Sequence, residues 1–430
     1  MQNIPNAQIN IVPHINPPTD AGSRPPRSYK LRIHHPFAPE ADPMLRYIFL
    51  VLVVSQAFAS AAAQEPATKV DRPVDKAVLK RVAKEVEPNF KGSQDRLAHY
   101  VEHFQHKVCN DARLFAFNVG AAAEGNNGVR LLGFVEFPET RNAIGEYFKA
   151  LGFEPVENKV ETLPAKDLGD RKFGFIKAAH SLSYAEPEEQ EVVTDCLLGE
   201  PLFLLRSEGD HFLVHGGDGY LGYVAAGDVH RVDEAAFAEY LKGPRVCVRS
   251  DQKIDGASLP AGSRLKWIST DGDKVVGVLP TGQKVTLPAA EVDLRDSPSE
   301  KIDVVCASAR QLLGTEYLWG GKTSSGVDCS GLVQVSFAAG GVVLPRDANQ
   351  QFDLGQMTGT RWSRAAMRRG DTLYFLNPQG RISHTGLYLG DDQFIHAVSP
   401  VVVVNSFNPD DKNYDPARHA SFAFARRLWE

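Results

Sequence analysis

Apolar and polar positions over residues 93–152 follow first a helical and then a strand period. Behind Ser93, which can serve as an N-cap, apolar residues recur at helical spacing. The stretches "ARLFAFNVGAA" and "VRLLGFVEF" predict two strands around the turn "EGNNG", and "ETRNAIGEYFKALGF" predicts a second helix that ends at Gly152. With a further helix over 76–86, the pattern predicts a small α+β domain over residues 65–178. The apolar positions of the first helix are Leu97, Tyr100, Val101, Phe104 and Val108.

From residue 179 the pattern changes to short strands separated by turns that contain Gly and Asp. This region contains, in order, the segment "LLGE", a charged turn "SEGD", the strand "HFLVHG" and the segment "GYLGYV". A weaker copy of this pattern of strands and turns runs from 244 to 296. Strands at this spacing are typical of small β-barrels. The sequence therefore predicts two barrels, over 179–243 and 244–297, which are either an internal duplication or two unrelated barrels.

The last region, residues 298–430, opens with an amphipathic helix for which Ser299 can serve as N-cap. After the turn "WGGKTSSGVD" a new helix begins near Cys329, and "GDTLYFL", "HTGLYLG" and "QFIHAV" alternate like antiparallel strands. A helix that bears a thiol, followed by a sheet that bears histidines, is a papain-like order. The expected fold class is α+β overall. The expected buried stripe of the first helix is Val304, Val305, Ala309, Leu312 and Leu313.

Length, charge and cysteine content narrow the possible functions. A chain of 430 residues is expected to form two to four domains. A net charge of -6 provides no basic field for nucleic acid. The 5 cysteines include no CxxC pair, which argues against a zinc or iron–sulfur site, and we predict neither metal nor cofactor. Because their number is odd, at least one thiol stays free or pairs with another molecule.

The stretch from Met44, "MLRYIFLVLVVSQAFASAAAQEP", has the layout of a secretory signal peptide. It carries one arginine, a short apolar run and Ala-x-Ala patterns, so we predict a signal peptide over 44–64 and a protein exported to the periplasm or the extracellular space. The run is short for a membrane anchor, the alternative, and we expect no stable membrane insertion after cleavage. Residues 1–43, rich in Pro, Asn and His, are predicted to be disordered or not translated.

Cys329, in "SGVDCSGLV", is the candidate for chemistry. A lone cysteine is most often a small buried residue, and half of a disulfide or a metal ligand are further alternatives. Here it stands where a glycine-rich turn becomes a helix, and a helix N-terminus favours the thiolate. The small Ser330 and Gly331 leave room for a substrate. A hairpin could bring His384 and His396 together as the base and the group that orients it.

The ordered blocks "YLWGG", "DCSGLV", "PRDANQQ", "GDTLYFL", "SHTGLYLG" and "FIHAV" resemble the NlpC-type cell-wall cysteine peptidases over about 130 C-terminal residues. The resemblance implies that Cys329 is the nucleophile, His384 the general base and His396 the residue that orients the base. It also implies that Tyr317 helps to hold the substrate or the oxyanion.

This family typically cuts the amide bond between the γ-carboxyl of D-glutamate and a diamino acid in peptidoglycan stem peptides. One branch, with SH3-like domains, requires a free N-terminal L-alanine, and the chain looks like that branch. The resemblance then implies that Asp347 contacts the amine, although it could also be a helix cap. Ala348 stands where the family often has serine. The further substrate-binding residues implied are Glu200, Tyr220, Arg346, Ser330 and Asp328.

Other interpretations remain open for these residues and for the reaction. Glu200 could be an exposed turn residue and Tyr220 a core residue of the barrel. The same catalytic residues could serve an N-acetylmuramoyl-L-alanine amidase, an endopeptidase on intact peptidoglycan or an acyltransferase, and a wall-binding protein without activity is the alternative from another class. The expected partners are stem peptides or muropeptide fragments, and the oligomeric state is open.

Overall fold

The computed structural model describes residues 96–109, 111–254, 256–294 and 301–428. The predicted leader over 1–43, the signal peptide over 44–64, the helix over 76–86 and the N-caps Ser93 and Ser299 lie outside these residues. No helix within the described ranges is both long and apolar enough to cross a membrane.

The N-terminal α+β domain contains the two predicted helices and a four-stranded sheet. β1 and β2 form an antiparallel hairpin, and β2 pairs in parallel with β3 and β4. The apolar stripe of α1 packs against this sheet, except that Val108 is 47% exposed because it is the last residue of the helix. The elements are α1 (Arg96–Val108), β1 (Phe117–Glu124), β2 (Gly128–Val135), α2 (Pro138–Ala150), β3 (Val156–Asn158) and β4 (Glu161–Thr162).

A seven-stranded sheet follows, with strand order β11-β5-β8-β9-β10-β6-β7. β5 precedes residue 178, the predicted domain boundary, and still pairs with β8 and β11 of this sheet. A helix, α3 (Glu234–Leu241), follows the last strand and is capped by Asp233. The strands are β5 (Phe173–Ile176), β6 (His180–Tyr184), β7 (Val192–Leu197), β8 (Pro201–Glu208), β9 (His211–His215), β10 (Leu221–Ala225) and β11 (Val229–Val232).

The next segment forms a five-stranded sheet with order β17-β16-β15-β12-β18, and β13 and β14 form a separate hairpin. In the described part of the chain, no pairing joins the two outer strands of this sheet or of the seven-stranded one. Closed barrels are therefore not confirmed, and the SH3-like interpretation stays a prediction. The strands are β12 (Arg245–Val248), β13 (Gln252–Ile254), β14 (Ala257–Leu259), β15 (Arg264–Asp271), β16 (Lys274–Val278), β17 (Lys284–Pro288) and β18 (Val292–Leu294).

The C-terminal region packs helices against a six-stranded sheet of order β21-β26-β22-β23-β24-β25. The central helix α5 is buried along its whole length between α4 and strands β23 and β24. The helices of the C-terminal region are α4 (Lys301–Gln311), α5 (Cys329–Ala339), α6 (Ala348–Phe352) and α7 (Pro416–Ser421). Its strands are β19 (Lys322–Thr323), β20 (Gly326–Val327), β21 (Gln356–Thr360), β22 (Thr372–Leu376), β23 (Ile382–Gly390), β24 (Gln393–Val398), β25 (Val401–Ser406) and β26 (Phe422–Arg427).

The α+β class predicted from the sequence is confirmed. Val305 and Ala309 form the buried side of α4 as expected, and Val304 is half-buried. Leu312 and Leu313 lie beyond the end of that helix at Gln311; Leu312 is still buried, whereas Leu313 is 44% exposed. Burying α5 on every side is what sets the position of Cys329, since a helix packed against two strands and a second helix has little freedom to shift.

Candidate active site

Cys329 is the first residue of α5, and Asp328 is the N-cap of that helix. The Asp328 carboxylate accepts the backbone N–H of Gly331 at 2.7 Å and that of Gly320 at 2.9 Å. One side chain thus caps the helix and ties it to the preceding "WGG" loop. The Cys329 side chain lies at this junction and is only 8% exposed.

Because Gly331 has no side chain, the "WGG" loop can pack closely against the start of α5. A Cβ atom at this position would lie 2.2 Å from the carbonyl oxygen of Gly321, a contact that no side chain tolerates. The expectation that Gly331 leaves room for a substrate was therefore wrong, because the backbone of the loop fills that space.

Arg346 lies beneath the start of α5 and is 1% exposed. Its guanidinium donates to both carboxylate oxygens of Asp328, at 3.1 and 2.5 Å, to Ser330 Oγ at 2.8 Å and to Thr194 Oγ1 at 3.0 Å. Arg346, Asp328 and Ser330 were expected to bind substrate. These hydrogen bonds join the three side chains within the protein and position the turn that carries Cys329. Their contact with substrate stays a prediction.

The two predicted histidines lie side by side on adjacent strands β23 and β24. Nε2 of His384 is 2.8 Å from Nδ1 of His396, and Nε2 of His396 is 2.8 Å from Oδ1 of Asn405 on β25. Asn405 was not predicted from the sequence. A signal was present, because Val403 pairs with His396 and a residue two positions further along a strand faces the same side of the sheet.

The hydrogen bonds of Asn405 determine which ring nitrogens of His396 and His384 carry protons. Its Nδ2 donates to the carbonyl oxygen of Asn413 at 3.0 Å, so its Oδ1 faces His396 as an acceptor. A neutral His396 must then carry its proton on Nε2 and accept at Nδ1 from Nε2–H of His384. His384 is left with an unprotonated Nδ1, which is the form that a general base requires.

Burial raises the pKa of Cys329 to about 11, and the negative charge of Asp328 adds to the effect. Hydrogen bonds with the backbone of Thr385 and of Ser330, and the charge of Arg346, oppose it. The bond to Thr385 also ties the sulfur to the strand that carries His384. The sequence predicted that the helix N-terminus would favour the thiolate, and the loss of solvent around the sulfur outweighs that contribution.

Burial also lowers the pKa of both histidines. The pKa of His384 falls well below its usual value because of burial, the positive charge of Arg418 and the neighbouring His396. Burial lowers the pKa of His396 to about 4, although its bond to Asn405 opposes the shift. At neutral pH the thiol and both rings are therefore uncharged.

Tyr317 precedes the "WGG" loop and is half-buried. Burial raises its pKa to about 12, and the charges of Cys329 and Asp328 add to the effect. At neutral pH Tyr317 therefore keeps its proton and can donate a hydrogen bond.

Asp347 and Tyr220 also come together, although they lie far apart in the chain. Asp347 caps α6 and forms a capping box with Gln350. Its Oδ2 accepts the hydroxyl of Tyr220 at 3.0 Å and pairs with Arg113, from the N-terminal domain. Burial raises the pKa of Asp347, against the charge of Arg113. The sequence held no signal for Arg113, because the contact joins residues of distant domains.

Glu200 has a different setting from the one expected. It is 9% exposed, which rules out an exposed turn residue. Its Oε2 accepts the backbone N–H of Leu197 at 3.0 Å and lies 3.6 Å from Nζ of the buried Lys322. These bonds engage the carboxylate within the protein, and its participation in an amine pocket stays a prediction. Within the described ranges, no cluster of His, Cys, Asp and Glu has the arrangement of a metal site.

Comparison with known proteins defines the class of this site. Residues 314–415 match the model of the NlpC/P60 family, and the chain carries an NlpC/P60 domain at its C-terminal end. The family predicted from the sequence is confirmed, and the domain belongs to a class of cysteine peptidases.

Two curated relatives and one solved structure are similar to parts of this chain. The gamma-D-glutamyl-L-lysine dipeptidyl-peptidase of Bacillus cereus is 26% identical over 227 residues, which are 47% of this chain and 66% of the relative. The murein DD-endopeptidase MepS/murein LD-carboxypeptidase of Escherichia coli is 39% identical over 110 residues, 24% of this chain and 55% of the relative. The chain thus spans less than two thirds of either relative. An NlpC/P60 family protein from Bacillus cereus shares the fold, with a TM-score of 0.53 and 20% identity over 60% of this chain and 100% of that one.

Proposed function

We propose that this protein is an exported cysteine peptidase that hydrolyses the γ-D-glutamyl–diamino acid amide bond of peptidoglycan stem peptides. The substrate is a stem with a free N-terminal L-alanine, whose ammonium lies near Asp347 and Tyr220. Two SH3-like barrels, over 179–243 and 244–297, precede the catalytic domain in this proposal. The main observation in support is the series of hydrogen bonds that links His384, His396 and Asn405 in the domain that also contains the cysteine-bearing helix.

Acylation begins with the neutral pair of thiol and imidazole. As the Cys329 sulfur attacks the amide carbonyl carbon, its proton passes to Nδ1 of His384 and the carbonyl oxygen becomes an oxyanion. The oxyanion receives hydrogen bonds from the backbone N–H of Cys329 and the hydroxyl of Tyr317. His384 then gives the proton to the leaving nitrogen, the C–N bond breaks, and a thioester remains on Cys329.

Deacylation reverses these proton movements with water as the nucleophile. His384 takes a proton from the water as its oxygen attacks the thioester carbonyl, the C–S bond breaks, and the sulfur regains a proton from His384. During both steps His396 accepts from Nε2–H of His384 and keeps the ring oriented. Because the pKa of the thiol is about 11, the sulfur is mostly protonated at neutral pH and loses its proton to His384 as it attacks the carbonyl carbon.

Mass spectrometry of the products from L-Ala-γ-D-Glu–diaminopimelate tests this proposal. The mature protein should release L-Ala-γ-D-Glu and diaminopimelate, and Cys329→Ala should release neither. Cys109→Ala is the matched control, because Cys109 is a free, half-buried thiol in the N-terminal domain, and it should retain full activity. Release of stem peptide from N-acetylmuramoyl-peptide would instead indicate an amidase, and cleavage restricted to cross-linked sacculi would indicate an endopeptidase on intact peptidoglycan. Either result would contradict the proposed bond.

A further inference from the structure

A guanidinium from the N-terminal domain occupies the carboxylate at which the substrate ammonium is proposed to bind. Nη1 of Arg113 forms an ion pair with Oδ2 of Asp347, the same oxygen that accepts the Tyr220 hydroxyl at 3.0 Å. Arg113 also approaches Oδ1 of Asn349 at 3.5 Å. The cation position of the pocket is therefore filled by the protein itself.

Arg113 is held in this position independently of Asp347. Its Nε and Nη2 each donate to the carboxylate of Asp111 at 2.7 Å, in the fork geometry that fixes a guanidinium plane. Nε2 of Gln350 donates to the same carboxylate at 2.9 Å, and the carbonyl oxygen of Arg113 accepts the backbone N–H of Leu221 at 2.8 Å. The segment is thus anchored both to α6 of the catalytic domain and to β10.

The cluster of Asp111, Asp347 and Arg113 can still bind a further cation, but more weakly than Asp347 would without Arg113. Asp111 and Asp347 supply two negative charges against the single positive charge of Arg113. An incoming ammonium is attracted by the remaining negative charge and repelled by the neighbouring guanidinium. It also meets an Asp347 oxygen that already accepts two hydrogen bonds.

We propose that Arg113 is a specificity-determining residue that weakens the selection for a free N-terminal amine by competing with the substrate ammonium for Asp347. This rests on the proposed function, because it concerns the amine pocket of the same site. It assigns the N-terminal α+β domain a role in substrate choice: that domain supplies both Arg113 and its anchor Asp111.

Binding of the product dipeptide to catalytically disabled full-length protein tests the inference without turnover. Calorimetry would compare L-Ala-γ-D-Glu with its N-acetyl form on Cys329→Ala protein, with and without Arg113→Gln. Removing the charge should tighten binding of the free-amine dipeptide by about fivefold, the scale of one partly exposed charge interaction. The N-acetyl dipeptide should bind both proteins equally, and Arg113→Lys should behave like the parent.

Arg130→Gln is the matched control, since Arg130 belongs to the same domain, pairs with two carboxylates and has a side chain 42% exposed, against 40% for Arg113. It should leave both affinities unchanged, and thermal melts should show that each variant is folded. Equal or weaker binding of the free-amine dipeptide by Arg113→Gln would overturn the role of Arg113 while leaving the proposed function intact. If neither the parent nor the Arg113→Gln protein bound either dipeptide, the amine pocket of the proposed function would fail, and the inference with it.

Discussion

Oδ1 of Asn405 accepts a hydrogen bond from Nε2 of His396 at 2.8 Å, and this contact sets the protonation of the whole site. It holds the proton of His396 on Nε2, which leaves Nδ1 to accept from His384. Asn405 never needs to touch the substrate. It is a positioning residue that keeps His384 in the tautomer that can accept a thiol proton.

Replacing Asn405 by alanine should therefore reduce the chemical step more than substrate binding. We expect Asn405→Ala to lower kcat by about tenfold to a hundredfold with little change in KM, because His396 can then adopt the wrong tautomer. Steady-state kinetics on the stem tripeptide measure this. Asn127→Ala is the control, since the Asn127 side chain donates to the carbonyl oxygen of Gly152 in the N-terminal domain. A rise in KM at constant kcat would assign Asn405 to substrate binding instead.

The high pKa of Cys329 predicts slow alkylation at neutral pH. With a pKa of about 11, the rate of modification by iodoacetamide should rise by about tenfold per pH unit between about pH 7 and pH 10. The measurement is the mass of the peptide that contains Cys329 as a function of time, with Cys329→Ala protein as the blank. A plateau in rate below about pH 8 would instead reveal a thiolate–imidazolium pair in the resting enzyme.

The buried histidines predict a loss of stability in mild acid. Because the folded pKa of His396 is about 4, below its unfolded value near 6.5, the unfolded chain binds more protons between these values. This contribution to stability is fully present above about pH 6.5 and is lost as the pH falls towards 4. The midpoint of thermal unfolding should drop between about pH 7 and pH 5, and His396→Gln should show a smaller drop. Identical drops in the two proteins would contradict this assignment.

The buried pair of Arg346 and Asp328 predicts a large effect of removing one partner. Arg346→Met leaves the Asp328 carboxylate buried without its counter-ion, which should cost about 3–5 kcal/mol of unfolding free energy. Asp328→Asn should also destabilise, and the double variant should be more stable than the sum of the two effects implies. Urea unfolding measures all three.

Lys149→Met supplies the control for that series, because its pair with Glu146 lies on an exposed helix surface. We expect a change of at most about 1 kcal/mol there. A similarly small change for Arg346→Met would mean that water reaches the Asp328 carboxylate when the arginine is absent.

The residues that the sequence identified are those that lie in local motifs. Cys329 stands at a visible transition from turn to helix, and His384 and His396 stand on alternating strands, so their elements and relative order could be predicted. Asn405 could have been predicted by the same reasoning, since it directly follows the apolar run 401–404 on β25, the strand that pairs with β24 and its His396.

Interactions between distant segments could not be predicted in this way. The ion pair between Arg113 and Asp347 depends on how the N-terminal domain lies against the catalytic one, which no local pattern encodes. The pKa of Cys329 was misjudged for a related reason: the helix start is visible in the sequence, but the burial that opposes it arises from tertiary packing. The internal partners of Arg346 and Glu200 likewise exist only in the folded chain.

Trapping the acyl-enzyme tests the central claim most directly. The protein would be mixed with the stem tripeptide, quenched in acid within the first turnovers, and digested for peptide mass analysis. Our account predicts an L-Ala-γ-D-Glu acyl group on the peptide that contains Cys329, removed by hydroxylamine as a thioester and missing in Cys329→Ser protein. Product formation by the Cys329→Ser protein at the parent rate, or an acyl group on any other residue, would contradict it.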